Sequence, residues 1–459
     1  MKTLDVSLIK EAVYNLCVNA NVYLPQDVYQ KLKMAYNKAS SKIMWANILE
    51  NARVAAETKR PLCQDTGNVI IFMSIGQDVH IEGGELAEAV NEAVEKAYKE
   101  NYFRKSIVKN AIFDRGNTGS NTPCVLHTEI VSGDSVQISV LIKGAGSENK
   151  SKAEMLLPTS SLEEIKEFVA AKVLESGINS CPPLYIGVGF GGTLDTASLL
   201  AKKALLEGEK TQEIKDFALD IKNIINQKAP EEFEGNYVLD LNIITVPTHI
   251  ACLPVGVSIN CHSMRKASCV IENSNIKYIN IYPEYEKFDI ENVSGIKINT
   301  AQKDEIRNLK QGQNVLLSGK IYVARDAAHK RLKQMIDKNE RLPFEIKDSI
   351  IFYAGPCPPK EGEKIGPIGP TTASRMDKFA VEFYDKGLLA TIGKGERGKD
   401  VHSAIIKNNA VYFTLQGGIA SLIASKVKSS NIIAFEDLGA EAIYELEVQD
   451  LPLKVEISG

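Results

Sequence analysis

The sequence has little of the material from which histidine-rich metal sites and zinc ribbons are built. It contains six histidines and one tryptophan among 459 residues, and none of its eight cysteines belongs to a C-x-x-C pair. Zinc ribbons need closely spaced cysteine and histidine ligands, so this pattern argues against them. The wide, irregular cysteine spacing also argues against a disulfide framework in a chain of this size. Buried thiols, a catalytic thiolate or metal ligands remain possible.

Long apolar runs and an excess of positive charge are also missing. No apolar stretch approaches the roughly 18 residues of a membrane span, and charged residues interrupt residues 1–19 too often for a signal peptide. We therefore expect a cytoplasmic protein without a membrane partner. The formal net charge of −4 lacks the basic surplus of a nucleic-acid-binding surface. Hydrophobic residues make up 44% of the chain, which is typical of an ordinary globular protein.

The densest cluster of reactive side chains lies in residues 60–67, R-P-L-C-Q-D-T-G. It places the thiol of Cys63, the amide of Gln64 and the carboxylate of Asp65 side by side, and it closes with a glycine that permits a tight turn. The apolar run at 68–73 predicts a buried strand, so the cluster is expected on a loop entering that strand. For a single cysteine, a structural turn with a buried thiol is the simpler interpretation.

Two further polar loops follow in the first half. The segment 115–127 is rich in Asn, Thr and Gly and opens into a predicted strand at 125–131, and a second strand near 136–142 is expected to pair with it. That strand runs into K-G-A-G-S-E-N-K-S at 143–151, a glycine-rich turn whose backbone N–H groups suit a carboxylate or phosphate. The Walker spacing is absent. Arg104, which follows a predicted helix, is another candidate for binding an anion.

Two cysteines occupy strand ends later in the chain. Cys181 precedes an apolar strand with the sequence G-V-G-F-G-G, whose register does not match a dinucleotide-binding fingerprint. Cys261 ends another strand. Together with Cys63, these residues are spaced too widely for a local metal knuckle but suit three converging loops. Three thiolates could hold three irons of a cubane cluster and leave the fourth open. Cys252 and Cys269 have apolar neighbours and are interpreted as buried thiols.

A change in the residue pattern predicts the division into domains. Residues 276–288 are irregular and rich in tyrosine, which indicates a linker between an N-terminal domain at 1–275 and a strand-rich C-terminal domain at 289–459. Helices and strands occur in both parts, so we expect an α/β (α+β) protein. The last strand is expected at residues 432–435, and a terminal helix is expected directly after it.

The longest loop-like stretch lies in the second domain, at 354–377, and is rich in Gly and Pro. Such a loop inside a compact domain is usually functional. It ends with Thr371 at a predicted helix start and Arg375 in the first turn, so backbone N–H groups and a guanidinium can face one anion. Lys394 follows in the short motif I-G-K-G.

In this order, the segments resemble the iron-sulfur class I fumarate hydratases and the related L-tartrate dehydratases, over essentially the whole chain. The motifs that carry the resemblance are R-P-L-C-Q-D-T-G, N-T-G-S-N-T-P, K-G-A-G-S-E-N-K-S, C-P-P-x-x-I-G-V-G, Y-V-A-R-D-A-A-H-K-R-L, G-P-T-T-A-S-R-M-D and I-G-K-G. Many relatives carry the two halves as separate alpha and beta chains, which look fused here. The resemblance implies a larger N-terminal cluster-binding domain, a smaller, swivelling C-terminal domain of β/β/α type, and a homodimer.

The resemblance also implies the cofactor and the site. A 4Fe-4S cluster would be held by Cys63, Cys181 and Cys261, with its fourth iron open to a small dicarboxylate, fumarate or L-malate. Cys269 is the alternative third ligand, and Cys357 departs from the family pattern and is taken as non-ligating. Thr371 would remove the C3 proton of malate, and Asp65 would protonate the departing hydroxyl. The implied substrate-binding set comprises Gln64, Arg104, Gly146, Arg325, Arg375 and Lys394.

Reversible hydration of fumarate is the activity that this resemblance implies, and an open iron should make it sensitive to oxygen. Dehydration of L-tartrate to oxaloacetate, or hydration of mesaconate, could use the same site, although a fused chain of this length favours fumarate. A non-catalytic iron- or oxygen-sensing protein would need the cysteines but not Asp65, Thr371, Arg375 and Lys394. A metal-free α/β enzyme with buried thiols is the remaining alternative.

Overall fold

The computed structural model describes residues 2–177, 180–209, 211–290 and 295–459. The chain forms two compact units, one containing residues up to Ser41 together with Asp65–Glu284, the other containing Lys42–Gln64 together with Tyr285–Gly459. Both units combine helices with sheets, which confirms the expected α/β class. In the described ranges, no helix is both long enough and apolar enough to cross a membrane.

Helices occur along the whole chain. They are α1 (Val6–Val22), α2 (Gln26–Lys38), α3 (Ile43–Thr58), α4 (Leu86–Glu100), α5 (Ala145–Glu148), α6 (Leu162–Leu174), α7 (Leu194–Ala204), α8 (Gln212–Lys228), α9 (Lys303–Arg307), α10 (Asp326–Asp337), α11 (Asp377–Asp385), α12 (Lys399–Lys407) and α13 (Ala420–Ser425). Short 3₁₀ helices occupy Glu231–Phe233, Ala373–Met376 and Glu436–Glu441. Local signals fix several helix starts: Asp5 accepts a hydrogen bond from the backbone of Ser7 at α1, and Ser161 forms a capping box at α6.

The strands of the described residues form four sheets. They are β1 (Lys2–Asp5), β2 (Asn68–Gly76), β3 (Val79–Glu82), β4 (Val125–Val131), β5 (Val136–Lys143), β6 (Lys152–Leu156), β7 (Leu184–Gly192), β8 (Val238–Thr248), β9 (Leu253–Asn260), β10 (Lys266–Glu272), β11 (Asn275–Tyr278), β12 (Ile296–Asn299), β13 (Asn314–Val323), β14 (Ile350–Phe352), β15 (Ala390–Gly393), β16 (Val411–Thr414), β17 (Val427–Ala434) and β18 (Ile443–Ser458). Their orders are β1-β3, β11-β10-β5-β2-β4, β6-β9-β7-β8 and β12-β13-β14-β15-β16-β18-β17.

The five-stranded sheet of the first unit carries the loop that contains Asp65. β2 lies between β4 and β5 in this sheet, parallel to β4 and antiparallel to β5. The expectation that the strands at 125–131 and 136–142 would pair with each other is therefore wrong. β2 is almost continuously apolar and buried, and its position between β4 and β5 leaves neither of its edges unpaired. One face packs on α1 and α4 in the unit's core.

The four-stranded sheet of the first unit positions two cysteines. β7 and β9 are antiparallel neighbours, with Tyr185 opposite Asn260. Cys181 lies shortly before β7 and Cys261 directly after β9, so both leave the sheet at the same end. The glycines of β7 let α7 approach closely, because a Cβ at Gly187 would lie 2.1 Å from the carbonyl oxygen of Ala201. The G-V-G-F-G-G sequence thus has a packing role.

The second unit is built on a seven-stranded sheet. β12, β13, β14, β15 and β16 run parallel, so their carboxyl ends share one edge of the sheet. β18 pairs antiparallel with β13, β16 and β17. The helix expected after residues 432–435 is only the short 3₁₀ helix Glu436–Glu441, and the long strand that follows it at Ile443–Ser458 was not predicted. Alternate residues of β18 are buried in two stretches, Leu446 and Val448 in the first and Leu451, Leu453 and Val455 in the second, as expected for a strand covered on one face. The register of the pairing with β13 shifts between the two stretches.

Residues 42–64 belong to the second unit because they are fastened to α13. The side chain of Asn51 donates to the carbonyl oxygen of Leu62 at 3.0 Å and accepts from the backbone N–H of Leu422 at 2.9 Å. The hydroxyl of Ser421 donates to the carbonyl oxygen of Pro61 at 2.8 Å. These bonds fix the backbone directly before Cys63.

Candidate active site

Asp65 lies where two loops leave the same end of the five-stranded sheet. Because Asn68 is opposite Lys143 in the β2–β5 pair, the residues before β2 and after β5 are neighbours. The backbone N–H of Ala145 donates to Asp65 Oδ2 at 2.8 Å, and a side chain at Gly144 would crowd the same oxygen at 3.1 Å. Gly146 follows on α5, so the glycine-rich turn is built around the Asp65 carboxylate.

Two guanidinium groups flank Asp65. Arg104 Nη2 lies 3.6 Å from Asp65 Oδ1, and the fully buried Arg265 donates through Nη1 to the backbone oxygen of Asp65 at 2.6 Å. Burial alone would raise the pKa of Asp65, but the two arginines and the backbone N–H groups of Ala145 and Gly67 outweigh it and hold the pKa below its usual range. The side chain is therefore a carboxylate at neutral pH.

The side chain of Lys143 is fully buried and binds groups within the protein. Its ammonium donates to the hydroxyl of Ser258 at 2.8 Å and to the carbonyl oxygen of Ile259 at 2.9 Å, and it forms an ion pair with Glu148 at 3.0 Å. Burial lowers the pKa of Lys143 to about 8. These bonds tie the end of β5, and the turn that holds Asp65, to the end of β9 just before Cys261.

All eight cysteines lie in described residues and carry thiols rather than disulfides. Cys63 and Cys261 are buried near loop ends and Cys181 is half-buried, whereas Cys269 lies inside β10 in the apolar core, where burial raises its pKa to about 12. This deep burial inside an apolar strand disfavours the thiolate form of Cys269. Within the described ranges, no three His, Cys, Asp or Glu side chains are grouped closely enough to hold a metal ion.

In the second unit, Gln64 lies against the Gly/Pro-rich loop. Its side-chain oxygen accepts a hydrogen bond from the Cys63 thiol at 3.4 Å, and its amide nitrogen lies 3.5 Å from the carbonyl oxygen of Pro370. A Cβ at Gly369 would lie only 2.2 Å from that side-chain oxygen. The thiol of Cys357 donates to the backbone oxygen of Gln64 at 3.4 Å, so Cys357 supports the same segment.

Thr371, Arg375 and Lys394 lie together at the carboxyl edge of the parallel strands. Thr371 follows the loop after β14 and its backbone N–H donates to the carbonyl oxygen of Tyr353 at 2.8 Å. The backbone N–H of Lys394, directly after β15, donates to the carbonyl oxygen of Thr371 at 3.2 Å. Arg375 Nη1 donates to Thr371 Oγ1 at 3.1 Å. Ligands of open α/β sheets bind at this edge of parallel strands.

Carboxylates that sequence analysis missed orient both arginines of this edge. Arg375 donates to the carboxylate of Asp326 through its Nε at 3.0 Å and its Nη2 at 2.6 Å. Glu441 accepts from Arg325 Nη2 at 2.7 Å and from the backbone N–H of Ala327 at 2.8 Å, which also caps α10. The sequence did contain one signal, because Asp326 directly follows Arg325 in the A-R-D-A-A-H motif.

Comparisons with known proteins agree along the chain. A family model described as fumarate hydratase (Fumerase) matches residues 10–270, and one described as fumarase C-terminus matches residues 269–459. The chain is 32% identical over 463 residues to the aerobic class I fumarate hydratase of Escherichia coli K12, covering 93% of this chain and 83% of that protein. Fumarate hydratase 2 of Leishmania major is 32% identical over 438 residues, covering 88% of this chain and 76% of its own length.

A shorter relative has a different printed activity. The putative L(+)-tartrate dehydratase subunit alpha of Methanocaldococcus jannaschii is 37% identical over 273 residues, which cover 56% of this chain and 96% of that subunit.

Proposed function

Because the chain belongs to the class I fumarate hydratase family, with the alpha and beta parts fused, we propose that it is a hydro-lyase that hydrates fumarate reversibly to L-malate. The observation that carries this proposal is the contact of 3.1 Å between Arg375 Nη1 and Thr371 Oγ1. Hydration of an alkene needs a base and an acid around a fixed substrate, and a hydroxyl becomes a useful base only when cations favour its alkoxide.

The acid and base roles follow from the two environments. Arg375, together with Lys394 on the neighbouring strand end, favours the alkoxide of Thr371, which removes the C3 proton of malate. Asp65 is held as a carboxylate, so in the hydration direction it can accept a proton from water and return it to the departing hydroxyl in the reverse direction. The remaining proposed substrate-binding residues are Gln64, Arg104, Gly146 and Arg325.

We propose a 4Fe-4S cluster as the cofactor, with Cys63, Cys181 and Cys261 as its ligands. The common end of β7 and β9 supports Cys181 and Cys261, and the core position of Cys269 argues against it as a substitute. When bound, a cluster with one open iron supplies a Lewis acid for substrate oxygens. The protein residues then orient the dicarboxylate and move its protons.

Dehydration of L-tartrate is the second candidate, favoured by the similarity to a putative tartrate dehydratase subunit. Tartrate carries one hydroxyl more than malate. Only a site built to hydrogen-bond that group would discriminate strongly between the two.

Proton NMR of fumarate in D₂O tests the proposed function. Anaerobically reconstituted protein should convert fumarate to malate that carries one deuterium at C3, because the proton added there comes from solvent. A cluster-loaded chain that leaves fumarate unchanged would contradict the proposal.

A further inference from the structure

The guanidinium of Arg375 is already engaged along one edge. Asp326 binds Nε and Nη2 with its two carboxylate oxygens, the bidentate arrangement in which arginine usually grips a carboxylate. The remaining nitrogen, Nη1, donates to Thr371 Oγ1. Asp326, Arg375 and Thr371 therefore form a chain of carboxylate, guanidinium and hydroxyl.

This chain connects two elements at the carboxyl edge of the parallel sheet. Asp326 is the first residue of α10, which follows β13, whereas Arg375 lies in the 3₁₀ helix Ala373–Met376. The side chains of Arg375 and Asp326 are 51% and 32% exposed, so the pair adds little to folding stability. An exposed arginine without such a partner would sample many rotamers, and its contact with the threonine would be short-lived.

We propose that Asp326 is a positioning residue for the reaction, which holds Arg375 on the Thr371 hydroxyl. Arg375 then serves the base rather than gripping a substrate carboxylate through its bidentate edge. This inference rests on the proposed function and deepens it, because it assigns a role to a residue outside the proposed substrate-binding set. Loss of Asp326 should slow proton removal while leaving substrate binding nearly intact.

The same helix offers a matched control. Arg331 on α10 forms a second bidentate ion pair with Asp437, which lies in a different 3₁₀ helix and does not contact Thr371 or Arg375 in any described interaction. Asp326→Asn and Asp437→Asn thus each weaken one exposed arginine–aspartate pair of the same helix. Only the first pair includes the arginine that reaches the proposed base.

The test measures kcat and KM for L-malate in cluster-loaded full-length protein. Asp326→Asn should lower kcat by about 10- to 100-fold, as loss of an orienting partner typically does, with KM close to wild type. Asp437→Asn should keep both values near wild type. Fluorescence of the only tryptophan, Trp45, which is buried in the same unit, should show similar unfolding midpoints for both variants.

A double variant shows whether Asp326 acts through Arg375. Once Arg375→Gln has removed the guanidinium, adding Asp326→Asn should cause no further loss of kcat. Additive losses would overturn the proposal, as would unchanged kcat in Asp326→Asn, or a raised KM with normal kcat, which would make Arg375 a substrate clamp. If wild-type protein itself failed to dehydrate malate, the proposed function would fall instead.

Discussion

Thr371 is the residue whose removal should affect the chemistry most. Thr371→Ala deletes the hydroxyl that Arg375 contacts, and loss of a general base typically costs about 10²- to 10⁴-fold in rate. We therefore expect a fall of that size in kcat for L-malate, with the cluster still bound, measured from the ultraviolet absorbance of fumarate. Thr372→Ala is the control, because Thr372 makes no capping hydrogen bond. Near-normal turnover by Thr371→Ala would exclude it as the base.

His329 should make the second unit sensitive to acid. It is fully buried against the rings of Tyr353, Phe379 and Phe383, and this burial lowers its pKa from 6.5 to about 4. Between these values the unfolded chain binds more protons than the folded chain. The free energy of unfolding therefore falls as the pH drops from 6.5 to 4, by up to about 3 kcal/mol.

His329→Phe removes this titration and keeps an aromatic ring in the core. Urea unfolding followed by Trp45 fluorescence should show a smaller loss of stability between pH 6.5 and 4 in the variant than in wild type. Above pH 6.5 the difference between the two proteins should be constant. Equal acid sensitivity of both proteins would show that His329 does not carry the effect.

At the scale of the elements, one close contact between the Gly/Pro-rich loop and Gln64 can be tested by substitution. Gly369→Ala would place a Cβ only 2.2 Å from the side-chain oxygen of Gln64, so the amide must move. Because the clash is with the end of a side chain rather than with backbone, we expect the protein to fold and KM for L-malate to rise several-fold. In a Gln64→Ala background the same substitution should change little. A normal KM in Gly369→Ala would contradict the placement of Gln64 at the substrate.

The helices and strands also show which structural features could be predicted from the sequence. The helix start after Thr371 and the strand after Asp65 were predicted from local signals, namely apolar runs and polar, glycine-rich boundaries. The pairing of β2 with both β4 and β5 was not predicted, because an apolar residue pattern indicates a strand but not which strands lie beside it in the sheet. Residues 443–458 form a strand that was not predicted, because only a helix was expected after residues 432–435. Strand pairing depends on contacts far apart in the sequence, which local periodicity does not carry.

The same limit applies to the site. Thr371 and Arg375 are four residues apart, so their proximity was predictable, whereas Asp326 and Arg265 reach their partners from distant segments. Residues 42–64 join the second unit through bonds to residues 418–422, which no local pattern reveals. The motif resemblance indicated the proposed acid and base, whereas the residues that orient them were recognised only in the folded structure.

For the molecule as a whole, the proposed ligand set predicts a cysteine series. Replacing Cys63, Cys181 or Cys261 with serine should in each case lower the content of iron and acid-labile sulfide per chain after anaerobic reconstitution. Cys269→Ala and Cys357→Ala should retain both, because a core thiol with a pKa near 12 is a poor ligand and Cys357 supports backbone. Loss of iron in Cys269→Ala, with retention in Cys261→Ser, would exchange the two assignments.

The central claim, cluster-dependent hydration of fumarate, is tested most directly by the ratio of kcat/KM for L-malate to that for L-tartrate. The ratio is measured anaerobically on reconstituted protein, and the malate assay is repeated after exposure to air. We predict that malate is preferred, that its turnover is lost in air, and that ferrous iron with reductant restores it. Oxaloacetate formed from tartrate with little response to malate would contradict the substrate assignment, and activity that survives prolonged aeration would contradict the open cluster.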